Sequence, residues 1–311
     1  MRALSRRRAL CLGVAASFAA APAAPGPNGF SLETIAVEAD RIIVGGPPRD
    51  GIRSIDAPTF AAPELATWVK EETPVLGVAL GGEARAYPVH VIDHHQVVND
   101  QIGGVDVAVT YDPLAGSPRV YRRTVGERTL TFGVSGLIFN SNFLLYDRET
   151  ESLWSQFDGR ALAGPLVGQT LQELRVRQED MAAWLQRHPE TRVLERPESR
   201  AIDYRYSPYE AYWVSEEVPF PVAAEDRSYH PKELVLGVTV GDHQRAYLGS
   251  ILTAAGGKIR DTFHGHEIRI GYSTELARYQ WEAPAAVEVD EAYWFAWKAF
   301  HPDTEVWQPR P

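Results

Sequence analysis

The densest run of reactive side chains is His90-Val91-Ile92-Asp93-His94-His95. Residues 89–95 read as a helix. On a helix His90 and His94, four apart, share a face and could hold one metal ion through neutral imidazole nitrogens. His95 and the carboxylate of Asp112 are the further ligands such a divalent-metal site would need. The same residues also have a plain reading, with His90 and His94 solvated and His95 hydrogen-bonded as a structural histidine. Asp112 stands between Tyr111 and Pro113. The proline keeps Asp112 out of the helical region and opens a turn. Beside a histidine this carboxylate could act as a general base; in a turn it would cap backbone N–H groups. His95 and Asp112 are thus the candidate catalytic pair, and His90, His94, His95 and Asp112 the candidate metal ligands.

Tyr111, Asn140, Asn142 and Arg148 are candidate substrate contacts. The Asn140-Ser141-Asn142 run suits a polar pocket or a bulged loop, and Arg148 suits a carboxylate clamp or a charged hairpin turn. Ser135 lacks the G-x-S-x-G context of a nucleophile elbow. Asn99-Asp100 before Gly103-Gly104 reads as turn chemistry. His264 and His266 alternate on a predicted strand, a weak second metal motif. Trp294 and Trp297, three apart on a helix, read as core. No glycine-rich stretch has a phosphate-loop spacing.

The elements that must carry these residues are mostly strands. Residues 75–80 and 85–87 flank Gly81-Gly82, a hairpin turn. Val105-Asp106-Val107-Ala108-Val109 alternates as a half-buried strand does. Residues 120–124 and 129–132, and residues 143–146 and 152–154, read as two further hairpins. Helices are expected over 62–71, 89–95, 171–188 and 292–300.

An internal repeat runs through this pattern. Val75-Leu76-Gly77-Val78, Gly81 and Arg85-Ala86-Tyr87 recur as Val235-Leu236-Gly237-Val238, Gly241 and Arg245-Ala246-Tyr247. Asp100, Gly104 and Tyr111 match Asp261, Gly265 and Tyr272. Trp184 before His188-Pro189 matches Trp297 before His301-Pro302. Gly77 to His188 is 111 residues and Gly237 to His301 is 64, so the first copy carries 47 more, mostly within 113–165. The expectation is an α+β, strand-dominated chain of two lobes from a duplication, the first with a long insertion. The expected divisions are a leader at 1–23, an extended lead-in at 24–50, a first lobe at 51–195 holding the candidate site, and a shorter second lobe at 196–311. The pattern leaves barrel and sandwich both open.

The chain resembles a bacterial and archaeal family known only as domain of unknown function 3179. The residues that carry the likeness are Asp50-Gly51-Ile52, Arg85-Ala86-Tyr87-Pro88, His95-Gln96-Val97-Val98-Asn99-Asp100, Val109-Thr110-Tyr111-Asp112-Pro113-Leu114-Ala115-Gly116, Phe132-Gly133-Val134-Ser135-Gly136 and Tyr146-Asp147-Arg148-Glu149-Thr150. The likeness implies a C-P-L-C run, with selenocysteine in some members, that looks like a redox pair. Here Asp112 and Ala115 replace both positions, and Gln96 stands where the family has Glu, so thiol or selenol chemistry does not carry over.

The chain has 311 residues, with 31 basic and 41 acidic side chains and a net charge of −10. Without the four arginines of residues 1–23 the balance is 27 to 41, or −14. That acidity speaks against nucleic-acid binding. Arg2, Arg6, Arg7 and Arg8, the apolar stretch 9–20 and Ala21-Pro22-Ala23 read as an export signal of the Sec or twin-arginine kind, which predicts a periplasmic or extracellular protein. After its removal no membrane span is expected. Cys11, the single cysteine, lies in that leader, so a mature chain would have no thiol. Three functions remain: a periplasmic enzyme with a His95/Asp112 site, with or without a metal; a non-catalytic binding module for a small molecule or envelope partner, descended from a redox family; and a structural envelope protein.

Overall fold

A computed structural model describes residues 26–199 and 201–309. The expected leader, with Cys11, lies outside them. Five sheets of three to five strands are arranged as a five-bladed β-propeller-like ring, neither barrel nor sandwich. Blade I is built on Pro74–Leu80 and Glu83–Pro88, paired through the Gly81-Gly82 turn, with Arg177–Asp180 on one side and Arg192–Leu194 on the other. Blade II comprises Val97–Ile102, Val105–Asp112 and Ser117–Arg122, edged by Glu173–Leu174. Blade III comprises Phe132–Phe139, Asn142–Asp147, Leu153–Ser155 and Ala161–Ala163; Ile43–Val44 from the lead-in completes it. Blade IV holds Leu234–Val240, His243–Leu248, Glu288–Tyr293 and Glu305–Val306. Blade V holds Lys258–Phe263, His266–Ser273 and Arg278–Glu282.

Blades I and II share one topology with blades IV and V. In both pairs the chain makes two strands of one blade, makes three of the next, and returns to flank the first. The register Val75↔Pro88 to Leu80↔Glu83 matches Val235↔Leu248 to Val240↔His243. Gly77 lies under the Trp184 ring and Gly237 under Trp297, where an added Cβ would overlap the indole. Trp184 Nε1 donates to Thr191 Oγ1 at 2.9 Å, and Trp297 Nε1 to Thr304 Oγ1 at 3.0 Å. Tyr87 and Tyr247 donate to Asp100 and Asp261 at 2.6 and 2.7 Å. Asp100 is therefore a strand residue holding a buried tyrosine, and not a turn residue as expected. Residues within 132–163, which have no counterpart in blades IV and V, supply four strands of blade III.

Helices are shorter than the sequence suggests. Residues 62–71 make separate turns, such as Leu65 N to Ala62 O and Val69 N to Ala66 O. The expected helix over 171–188 becomes two strands and α2, Met181–Arg187. The Glu-, Arg- and Gln-rich stretch favours helix intrinsically, but sheet pairing overrides so weak a preference. The expected helix over 89–95 shrinks to α1, Val89–Ile92, because the chain must reverse into blade II, which Gln96 does at φ 59°. At the C-terminal end Trp294–Phe300 forms a helix as expected.

Apolar faces fill the spaces between blades. Leu76, Val78 and Tyr87 of blade I pack on Val98, Val107 and Val109 of blade II. Val97, Ala108 and Tyr121 of blade II pack on Phe132, Leu145 and Trp154 of blade III. Blades II and IV meet through Arg119, 1% exposed, which lies 3.4 Å from Glu173 and 3.6 Å from Asp290 and donates to the Phe157 and Glu291 carbonyls. Among the described residues no helix is long and apolar enough to cross a membrane.

Candidate functional site

His95 and Gln96 lead into Val97–Ile102, which pairs with Val105–Asp112; Tyr111 N donates to Gln96 O at 3.0 Å. This pairing brings His95 and Asp112 to the same end of neighbouring strands. Their side chains then turn to different partners. Asp112 Oδ1 accepts from the backbone N–H groups of Leu114 and Ala115 at 2.9 and 3.2 Å. Its Oδ2 accepts from Asn142 Nδ2 and Phe143 N at 2.8 and 2.9 Å. The carboxyl group is thus turn cap and blade II–III tie at once. Burial pushes its pKa up to about 6, although all four donors favour the charged form.

His95 Nδ1 is 2.7 Å from the Arg53 carbonyl, which can only accept, so Nδ1 carries the proton. Nε2 therefore accepts from the Tyr204 hydroxyl at 2.8 Å. Burial lowers the imidazole pKa and keeps it neutral. His94 Nε2 lies 2.9 Å from the Tyr206 carbonyl, and His90 packs edge-on against Trp68. Among the described residues no group of three or more His, Cys, Asp or Glu side chains is placed to hold a metal ion. The four residues expected as ligands form no such set, because α1 ends at Ile92, before His94, and the nitrogens of His95 are spent. In the second half, His264 sits at positive φ in a turn and stacks on His243, off the strand it was expected to share with His266.

Three of the expected substrate contacts are built into the scaffold. Tyr111 is buried. Asn142 bridges Asp112 and Gln156. Asn140 accepts from Arg41 and from Ala223 N, beside a separate cavity of about 180 Å³. Arg148 pairs with Asp56 at 3.3 Å and donates to Ser54, two residues on the rim of the cleft described next. Ser135 is held by the Leu144 carbonyl at 2.6 Å.

That cleft, of about 810 Å³, opens between residues 51–59, Asp93-His94-His95 and a segment around 195–209. Its cover is a strap over 201–215, which crosses the positions that carry the family likeness. Tyr204 holds His95, and Tyr209 OH receives Gln96 Nε2 at 3.0 Å. Tyr212 OH and Trp213 Nε1 donate to the Leu114 and Pro113 carbonyls at 2.7 and 3.2 Å. The bonds that close the Asp112–Ala115 turn from above thus come from a short helix, Glu210–Trp213.

Sequence reasoning missed Asp93, the most unusual group here. It lines the cleft, is 1% exposed, and its Oδ1 has no hydrogen-bond partner. Burial pushes its pKa up to about 7, with only Ser207 favouring the charged form. Gln96 Oε1, three residues on, is likewise buried and unpartnered, but Gln96 does not line the cleft. The signals were present: a carboxylate directly after Val91-Ile92, and five aromatic residues within Tyr204–Trp213.

A family model described as a protein of unknown function, DUF3179, matches residues 49–284. No curated protein and no solved structure matches. Residues 49–284 include the strands that carry His95 and Asp112, Asp93, and all of the strap.

Proposed function

We propose that this chain, which belongs to the DUF3179 family, is an exported binding protein whose cleft takes a small polar molecule. The observation that carries the reading is the unpartnered Oδ1 of Asp93 at the wall of an 810 Å³ cleft, beside His95, whose own hydrogen-bonding capacity is spent. A buried polar group without a partner costs about 1–3 kcal/mol, so its retention fits a ligand that completes it. Export rests on the leader read in residues 2–23. The shared register and the paired Gly–Trp–Thr contacts support descent of blades I–II and IV–V from one duplicated unit, with blade III inserted.

One contact favours a catalytic second reading. The Tyr204 hydroxyl donates to the neutral Nε2 of His95 at the cleft wall, an arrangement able to pass a proton. In that reading His95 is the base behind Tyr204, and Asp112 holds the turn beneath the strap.

Thermal unfolding of the mature chain against a library of amines, amino acids, sugars and short carboxylates tests the binding reading. A ligand at a hundredfold excess over its Kd raises Tm by about 5 °C. Ala57→Trp, which fills the rim, abolishes that rise. A library that leaves Tm unchanged, or a rise that survives Ala57→Trp, contradicts the cleft as the site.

A further inference from the structure

Resting on that reading, we infer that the cleft takes a small organic cation, with a primary ammonium group anchored on Asp93. Two donors at the cleft wall are occupied, His95 Nδ1–H by the Arg53 carbonyl and the Tyr204 hydroxyl by His95, while the Tyr209 hydroxyl accepts from Gln96 Nε2 and keeps its own proton. One acceptor at the wall, Asp93 Oδ1, is buried and has no partner. A ligand that completes this site must therefore bring donors, and an ammonium brings three.

Charge at the rim points the same way. Glu195 and Glu198 line the cleft, are exposed, and form no ion pair among the described residues. Asp56 also lines it and is already engaged by Arg148, Asn99 and Ser54. Arg53 is the opposing cation, and its side chain stays at the exposed edge. An anion entering here would meet the Asp93 carboxyl group and the rim glutamates, whereas an ammonium against Asp93 makes a charge-assisted bond out of bulk solvent. A carboxylate taken out of water with no cation beside it is the costly half of a buried ion pair, and the ligand supplies the other half. A volume of about 810 Å³ leaves room for a chain of several carbons, and for a second amine facing Glu195 and Glu198.

Three four-carbon probes that differ only in their ends separate the outcomes: 1,4-diaminobutane, 1,4-butanediol and succinate. Calorimetric titration into the full-length mature chain is expected to show binding of the diamine and none of the other two. Asp93→Asn keeps the shape and removes the charge, and is expected to weaken the diamine by at least tenfold. Glu195→Gln with Glu198→Gln, changes on the exposed rim that leave the fold intact, is expected to weaken it severalfold. Binding of the diol or of succinate in preference to the diamine overturns the ammonium inference while leaving the cleft a ligand site. Diamine binding that Asp93→Asn leaves unchanged overturns it too. If none of the three probes binds the wild type, the inference also fails; a library ligand that still binds then shows that the cleft reading stands without it.

Discussion

Asp93, Asp112 and Glu291 are three buried carboxyl groups in three different predicaments. Asp112 has four donors, Asp93 has Ser207, and Glu291 has an Oε2 without any partner. Glu291 is pushed up to about 8 by burial, against the pull of Arg278. A carboxyl group raised in the folded state favours folding while the unfolded chain is also protonated. That contribution is lost as pH rises from the unfolded value near 4.5 through about 8. Unfolding in urea should therefore show stability falling between pH 5 and pH 8, by on the order of 3–5 kcal/mol from this group at 1.36 kcal/mol per pH unit. Glu291→Gln is expected to flatten that slope in part, leaving the share of Asp93 and Asp112, which are raised over the same range; an unchanged slope would place the titration elsewhere. The capping role of Asp112 was legible from Asp-Pro alone, because a proline dictates its neighbour's backbone locally. The state of Asp93 was not, because Ser207, which faces it, and the segment that shares its cleft lie more than a hundred positions away. Type and spacing say what a side chain can do; whether its partners are present is a long-range fact.

Among the elements, strands with strict alternation or a glycine turn were readable, and those whose pairing opposes their composition were not. Residues 75–80 announce themselves by an apolar run and Gly81-Gly82. Residues 173–180 carry helix-favouring side chains, and only the waiting edges of blades I and II make them strands. The strap was overlooked because 201–215 has no period at all; its structure is a series of side-chain bonds to other elements. Tyr204→Phe removes the donor to His95 and is expected to cost about 1 kcal/mol in urea unfolding, with faster hydrogen exchange across the strap. Exchange unchanged within the strap would mean that Tyr204 does not hold it. The repeated Gly–Trp contact gives a sharper test. Gly237→Ala forces a methyl into the Trp297 ring and is expected to cost about 1–3 kcal/mol, whereas Gly271→Ala, with its nearest neighbours at 3.8 Å, stays within about 0.5 kcal/mol. Equal effects at the two sites would refute the close approach.

At the scale of the whole molecule, a ring of blades puts residues far apart in sequence at shared interfaces. Arg119 is the clearest case: blade II supplies the guanidinium and its neighbour Glu173, blade IV supplies Asp290. Arg119→Met leaves two carboxylates facing each other without their cation, and is expected to lower stability by about 3–5 kcal/mol in a single cooperative transition. Two separated transitions would mean that the halves fold independently. The repeat in the sequence was visible as matched residues, yet it suggested two lobes, because matching residues do not say how sheets close on one another. Blade III explains why the longer copy carries the cleft's neighbourhood: its strands give Asp112 two of its four donors, and its Arg148 steadies the rim. The scaffold thus spends its own polar groups on holding the turn and the strap, and leaves Asp93 for something from outside. A crystal structure of the mature chain in saturating 1,4-diaminobutane tests this most directly. The account requires a ligand nitrogen within about 3 Å of Asp93 Oδ1, under a closed strap. A cleft holding only water, with the diamine absent or bound elsewhere on the ring, would contradict it.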